Sequence, residues 1–167
     1  EAGGLFWVGR SQKIRMYEVI SYILLPLATS SLWSNWLEVQ ELVASTPEKV
    51  TAFLNTTFLN SLLYVGIVAG ISYINSRYRE KASVMFDYVI NILLFITLYA
   101  TFYIEIYSYW AIRINQYVVE ADTGMKAYDS LQYFKQMWLI VYTVAYFALF
   151  TWIDTRYIAR KKYCITT

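Results

Sequence analysis

The chain has 167 residues, of which 58% are apolar, 19% aromatic and only 16% charged, and its formal net charge is +2. This composition excludes a disordered chain, a disulfide scaffold and an ordinary soluble enzyme, because a soluble domain is less apolar and more charged. The charge is too small to indicate a nucleic-acid partner. With no His and one Cys, Cys164, the usual side chains of metal sites and acid–base catalysis are missing, so we expect no metal and no cofactor.

The chain opens with a short apolar stretch, Leu5–Val8, that ends at Gly9-Arg10. It has no basic segment before it and is a poor signal peptide. We interpret it as the last turn of an upstream helix in a longer parent chain; the alternative is an apolar tail on the surface.

Four long stretches without Asp, Glu, Lys or Arg follow, each able to cross about 30 Å of hydrocarbon as a helix. We therefore predict an all-α fold: a polytopic membrane bundle of four transmembrane helices arranged as two tandem hairpins. Residues 1–167 form one membrane domain, a fragment of a longer chain, with hairpins at 10–81 and 82–162. The predicted spans are Tyr17–Trp36, Thr57–Arg77, Val84–Trp110 and Lys135–Arg156.

Acidic residues accumulate in the two connections that are poor in Lys and Arg, roughly Leu37–Thr56 and Ala111–Phe134. The positive-inside rule places these connections outside and both termini in the cytoplasm. Thr46-Pro47-Glu48 and Asn55-Thr56 are typical of helix starts, so the first connection is expected to hold a short interfacial helix. The basic residues on the predicted inner side are Arg10, Lys13, Arg15, Arg77, Arg79, Lys81, Arg156, Arg160, Lys161 and Lys162.

The two hairpins resemble each other in sequence. Residues 73–78 match residues 152–157 at the inner ends of spans two and four, and the starts of spans one and three match around Glu18 and Asp87. We interpret this as a parallel internal repeat; the alternative is the shared composition of membrane helices. Glu18 and Asp87 fall where a carboxylate complements a positive helix end, and Arg77 and Arg156 where a cation complements a negative one.

Four short stretches also resemble a known family. Residues 55–63 are similar to its Leu-Asn-x-x-Phe-Leu-x-x-Leu-Leu stretch, residues 91–94 and 103–110 to its Ala-Asn-Leu-Leu and Leu-Glu-Ile-x-x-Tyr-Trp stretches, and residues 5–10 to its aromatic-Gly-Arg helix ends. The family is the long multi-pass bacterial membrane proteins of domain of unknown function 2339. The chain departs from the pattern at Ile90 and Thr56-Thr57. The resemblance implies a segment of a bacterial inner-membrane protein and supplies no catalytic residues.

One helix face in span three carries the most notable polar residues. Thr97, Thr101, Glu105 and Ser108 are spaced by three or four positions, and Asn91 lies within roughly 120° of that face. A carboxylate inside a membrane span usually faces a bundle interior or water. It is either a proton, cation or lipid-substrate site, or a structural group that reaches headgroups or pairs with Arg113.

Small residues in span two form a Gly-x-x-x-Gly pattern at Gly66 and Gly70. Such residues let helices approach closely in lipid, so we predict helix packing there, against span one.

We predict that the chain is an integral inner-membrane module that forms a structural or assembly segment of a larger multi-pass protein. We do not expect it to be an enzyme. Its expected partners are the lipid bilayer and further transmembrane helices of the parent chain or of partner subunits. The alternative is a transporter or channel segment that uses the polar face around Glu105. The hypothesis of an enzyme that acts on lipid-linked substrates has the least support, since the sequence offers no partner residue for a candidate general base.

Overall fold

The computed structural model describes residues 2–12, 14–45, 55–77, 84–121 and 125–158. These residues form five α-helices and no strand, which confirms the all-helical prediction for the described part of the chain. The described residues fall into two compact units, one ending at Ile112 and the other beginning at Arg113. The helices are α1 (Ala2–Gln12), α2 (Arg15–Ser45), α3 (Thr56–Arg77), α4 (Val84–Ala121) and α5 (Met125–Ile153).

Three segments are long and apolar enough to cross a membrane: Thr56–Arg77, Met85–Tyr117 and Tyr128–Arg156. The first predicted span is helical as well, within α2, but α2 is not among the three. The physical reason is its content of Ser, Thr and Asn, which lowers the mean hydropathy. The coarse prediction of several membrane-crossing helices therefore stands, with three where four were predicted.

The first unit has its apolar core between α1, α2, α3 and α4. Phe6 from α1 is completely buried there, beside Val68 and Ile71 from α3 and Ile90 from α4. The stretch Leu5–Val8 is thus part of a helix with a buried face, and the alternative of an apolar surface tail is wrong.

Helix α2 runs beside α3 for several turns. The Thr29 hydroxyl is hydrogen-bonded to the Tyr64 hydroxyl, and Trp36 Nε1 donates to Ser61 Oγ at 2.9 Å. Hydroxyl groups of α2 also donate to backbone carbonyls of the same helix, as Thr29 does to Leu25 and Ser34 to Ser30. Several of the polar side chains of α2 are therefore hydrogen-bonded, either to α3 or within α2 itself.

The predicted outer connections are shorter than expected, because α2 continues to Ser45 and α4 to Ala121. The extension of α2 is explained by packing: Val39 and Val43, one helical turn apart, are buried against Ile112 of α4. Helix α3 begins at Thr56, as predicted, and the earlier start at Thr46-Pro47-Glu48 lies outside the described residues.

The second unit contains the last residues of α4 and all of α5. Few α5 side chains are buried, Lys135 and Leu139 among them, and its exposed side chains are mostly apolar or aromatic. The helix ends in a π-helical turn, Asp154–Ile158.

Candidate functional site

Four helices of the first unit meet at a buried polar cluster, formed by Arg10, Glu18, Asn75 and Asp87 and called here the Arg10 cluster. Arg10 Nη2 donates to Asn75 Oδ1 at 3.1 Å, and Arg10 Nε lies 3.5 Å from Glu18 Oε1. Asn75 Nδ2 donates in turn to Asp87 Oδ1. One chain of polar contacts thus joins α2, α1, α3 and α4 in that order.

The Arg10 cluster is positioned by close packing and by aromatic rings. Glycine is required at position 9, since a Cβ there would lie 2.9 Å from Glu18 Cγ and 3.0 Å from the Glu18 backbone nitrogen. The Arg10 guanidinium sits 5.4 Å from the centre of the Phe6 ring. Phe6 packs against Tyr22 and Phe86, which brings aromatic rings of three helices together.

The electrostatics of the Arg10 cluster favour a structural role. The Arg10 side chain is 3% exposed and Asn75 is fully buried, whereas the Glu18 side chain is 19% exposed. Arg10 Nε and Nη1 have no hydrogen-bond partner, so Glu18 offsets the guanidinium charge without a well-formed hydrogen bond. Removing one partner of such a buried group costs far more than the intact contact contributes, so the cluster holds the helices in one arrangement.

A second cluster lies around Glu105, which is 3% exposed inside a candidate membrane span. Asn55 Nδ2 donates to Glu105 Oε1 at 3.0 Å, and Asn55 Oδ1 accepts from the Phe58 amide at 2.6 Å. Asn55 therefore caps α3 and orients the carboxylate of α4 at once. Arg113, the partner considered from the sequence, has an exposed side chain.

The structure brings together most of the polar face predicted on span three. Thr97, Thr101, Glu105 and Ser108 are all buried on α4, and Ser108 Oγ has no hydrogen-bond partner. The two threonine hydroxyls bond to carbonyls of their own helix. Asn91 lies apart from this face: it is exposed and accepts a hydrogen bond from Ser72 at 2.7 Å.

The glycines of span two lie on an open surface. A Cβ atom built on Gly66 or Gly70 meets no heavy atom within 4 Å, so no described helix packs closely there. The close approach to span one is made elsewhere, through Trp36 and Thr29. The predicted packing of Gly66 and Gly70 against span one is therefore not made among the described residues.

Sequence reasoning did not find the Arg10 cluster. It assigned Glu18 and Asp87 to helix ends, and both do lie in first turns, but it did not pair them with Arg10 and Asn75. The available signal was Asn75, an amide near the end of an apolar helix, which needs a partner once it is buried.

The metal-binding potential of the described residues can be stated from their composition. Within the described ranges no group of three His, Cys, Asp or Glu side chains could hold a metal ion. The Glu105 carboxylate accepts a hydrogen bond from the Asn55 amide, and this contact orients it. No family description, no curated protein and no solved structure matches the chain.

Proposed function

We propose that the chain is an integral membrane helical module whose role is structural, joining further transmembrane helices of a parent chain or of partner subunits into a larger assembly. The observation that carries the proposal is an inverted distribution of polarity. Arg10, Asn75 and Glu105 are buried, whereas large apolar side chains such as Leu63 and Ile140 are exposed. This arrangement suits a hydrocarbon solvent and is costly in water.

Three contacts along α2 support a fourth span. Glu18 lies beside Arg10, which bonds to the C-terminal part of α3; Thr29 contacts Tyr64 in the middle; and Trp36 bonds to Ser61 near the start of α3. A helix that packs antiparallel to α3 over this length also crosses the bilayer if α3 does. From the basic segments we infer that both termini lie in the cytoplasm, and from the resemblance noted in the sequence we infer the inner membrane of a bacterium.

Single-cysteine labelling tests the number of spans and their orientation. We expect an impermeant maleimide to label Cys164, and a Ser11→Cys variant lacking Cys164, only after the cytoplasmic side has been opened. A Gln116→Cys variant that also lacks Cys164, at the predicted outer end of the Met85–Tyr117 segment, is the control that should be labelled in intact cells. Ser11 and Gln116 are both exposed in the structure.

The parity of the spans makes the outcome decisive. Four spans put positions 11 and 164 on the same side, and three spans put them on opposite sides. Labelling of positions 11 and 164 in intact cells would show that the orientation is the opposite of the predicted one. Recovery of the chain in plain buffer, without detergent, would contradict the proposal as a whole.

A second candidate function, ion or proton transport, is favoured by the buried carboxylate of Glu105 within a candidate span. Proteoliposomes loaded with ion-sensitive dyes distinguish it from the structural role. We expect no flux above that of empty liposomes. If flux is present, Glu105→Gln should reduce it more than Glu80→Gln.

The glutamine variant is a suitable probe because it keeps an oxygen that can accept from Asn55, so the unfolding midpoint should change little. Equal effects of the two substitutions on flux would remove Glu105 from the transport candidate. A flux that is lost only in Glu105→Gln would replace the structural proposal by transport.

A further inference from the structure

Asn91 is an exposed amide inside a candidate membrane span, on the line where α3 and α4 meet. Its Oδ1 accepts a hydrogen bond from the Ser72 hydroxyl at 2.7 Å, and its Nδ2 donates to the Asp87 carbonyl at 2.8 Å. A primary amide has two N–H donors and an oxygen with two lone pairs. The described residues therefore leave one donor and one lone pair of Asn91 at the surface of the bundle.

The depth of this amide follows from its bond to α3. Ser72 lies five residues before the end of α3 at Arg77. At about 1.5 Å per residue, the amide therefore lies roughly 7 Å inside one end of a candidate membrane span. A polar side chain within a span usually faces another helix and forms hydrogen bonds across the contact.

The residues around Asn91 suit the approach of another helix. On the α3 side, Ala69 and Ser72 are small, and small side chains let helix backbones come close in lipid. On α4, Tyr88 precedes Asn91 by one turn and is 67% exposed. An approaching helix would thus find an aromatic contact beside the amide and little bulk in front of it.

We propose that Asn91 is the centre of a dimer interface, in which two copies of the chain pair through this amide. The inference rests on the proposed function, because it names one partner subunit and the group that joins it. A primary amide is complementary to itself, since the remaining N–H of each copy can donate to the remaining lone pair of the other.

Membrane insertion favours a second copy as the occupant. A two-fold axis along the membrane normal brings the same residue of both copies to the same depth. Asn91 therefore meets its own counterpart without any further requirement. A different helix would need a polar residue placed at that depth.

Energy transfer between two labelled populations tests the dimer. Cys164, the single cysteine, carries a donor dye in one population and an acceptor in the other, and the full chains are mixed in phosphatidylcholine vesicles. We expect transfer above that of random proximity, and unlabelled chain should compete it away. Asn91→Leu should lower the association constant by about fivefold or more, because two interhelical hydrogen bonds are lost. Asn91→Gln, which keeps the amide, should retain part of the association.

Asn60→Leu is the matched control, since it removes another exposed amide from a candidate span, near the opposite end of α3. It should leave the association constant unchanged. Transfer no greater than random proximity, or an equal loss in Asn91→Leu and Asn60→Leu, would overturn the inference.

Disulfide cross-linking locates the interface without replacing Asn91. In a chain that lacks Cys164, Tyr88→Cys should give a cross-linked dimer under mild oxidation. Val89→Cys should not, because Val89 is 51% exposed but lies about 160° from Asn91 around α4. Cross-linking that is equal at the two positions, or stronger at Val89, would contradict the interface. Labelling that supports four spans together with a monomeric chain would overturn the dimer alone.

Discussion

Replacing Asn75 by Leu should destabilise the first unit more than any other substitution that keeps the side-chain volume similar. Asn75 is fully buried and bonds at once to Arg10 and to Asp87. Its loss leaves a buried guanidinium and a carboxylate each without an amide partner, for a cost of about 2–4 kcal/mol. Unfolding in detergent, titrated with sodium dodecyl sulfate and followed by circular dichroism, measures the change.

The control is Asp154→Leu, in the π-helical turn that follows α5, where the side chain is exposed. It should leave the free energy of unfolding within about 0.5 kcal/mol of that of the unaltered protein. Equal midpoints for Asn75→Leu and the unaltered chain would show that the Arg10 cluster does not hold the helices together.

Replacing Gly9 by Ala should also destabilise the bundle, by about 1–3 kcal/mol, because the added methyl group overpacks a tight contact. Its Cβ would lie 3.0 Å from the Glu18 backbone nitrogen, which cannot move without shifting the start of α2. The separation of α1 from α2 should weaken the Arg10–Glu18 ion pair as well. The same unfolding titration measures the effect.

Gly70→Ala provides the comparison within the same protein, since a Cβ there meets nothing within 4 Å. It should be neutral or stabilising by up to about 1 kcal/mol, because alanine favours a helix over glycine. A loss at Gly70 as large as that at Gly9 would mean that an unseen helix already packs on the Gly66 and Gly70 surface.

Properties that belong to a single helix could be predicted from the sequence. The uncharged stretches located α3 and α4, and the spacing of Thr97, Thr101 and Glu105 correctly indicated one face. Asn55 was recognised as a helix start, and its bond to the Phe58 amide confirms this. Each of these follows from helical periodicity or from capping chemistry.

Properties that depend on which helices are neighbours could not be predicted in this way. Asn75 and Arg10 are 65 positions apart, and no pattern within either helix identifies the other. The length of α2 was underestimated because Val39 and Val43 are stabilised by Ile112, far along the chain. Asn91 is exposed although helical periodicity places it only about 40° from Glu105.

The order of the contacts in the Arg10 cluster has a consequence for biosynthesis. Glu18 can reach Arg10 as soon as α1 and α2 have been made, but the Asn75 amide has its carboxylate acceptor only after translation has passed Asp87. A nascent chain released between α3 and α4 would lack this bond to the Asn75 amide. The hydrogen bond between Asn75 and Asp87 can therefore form only after the start of α4 has been synthesised.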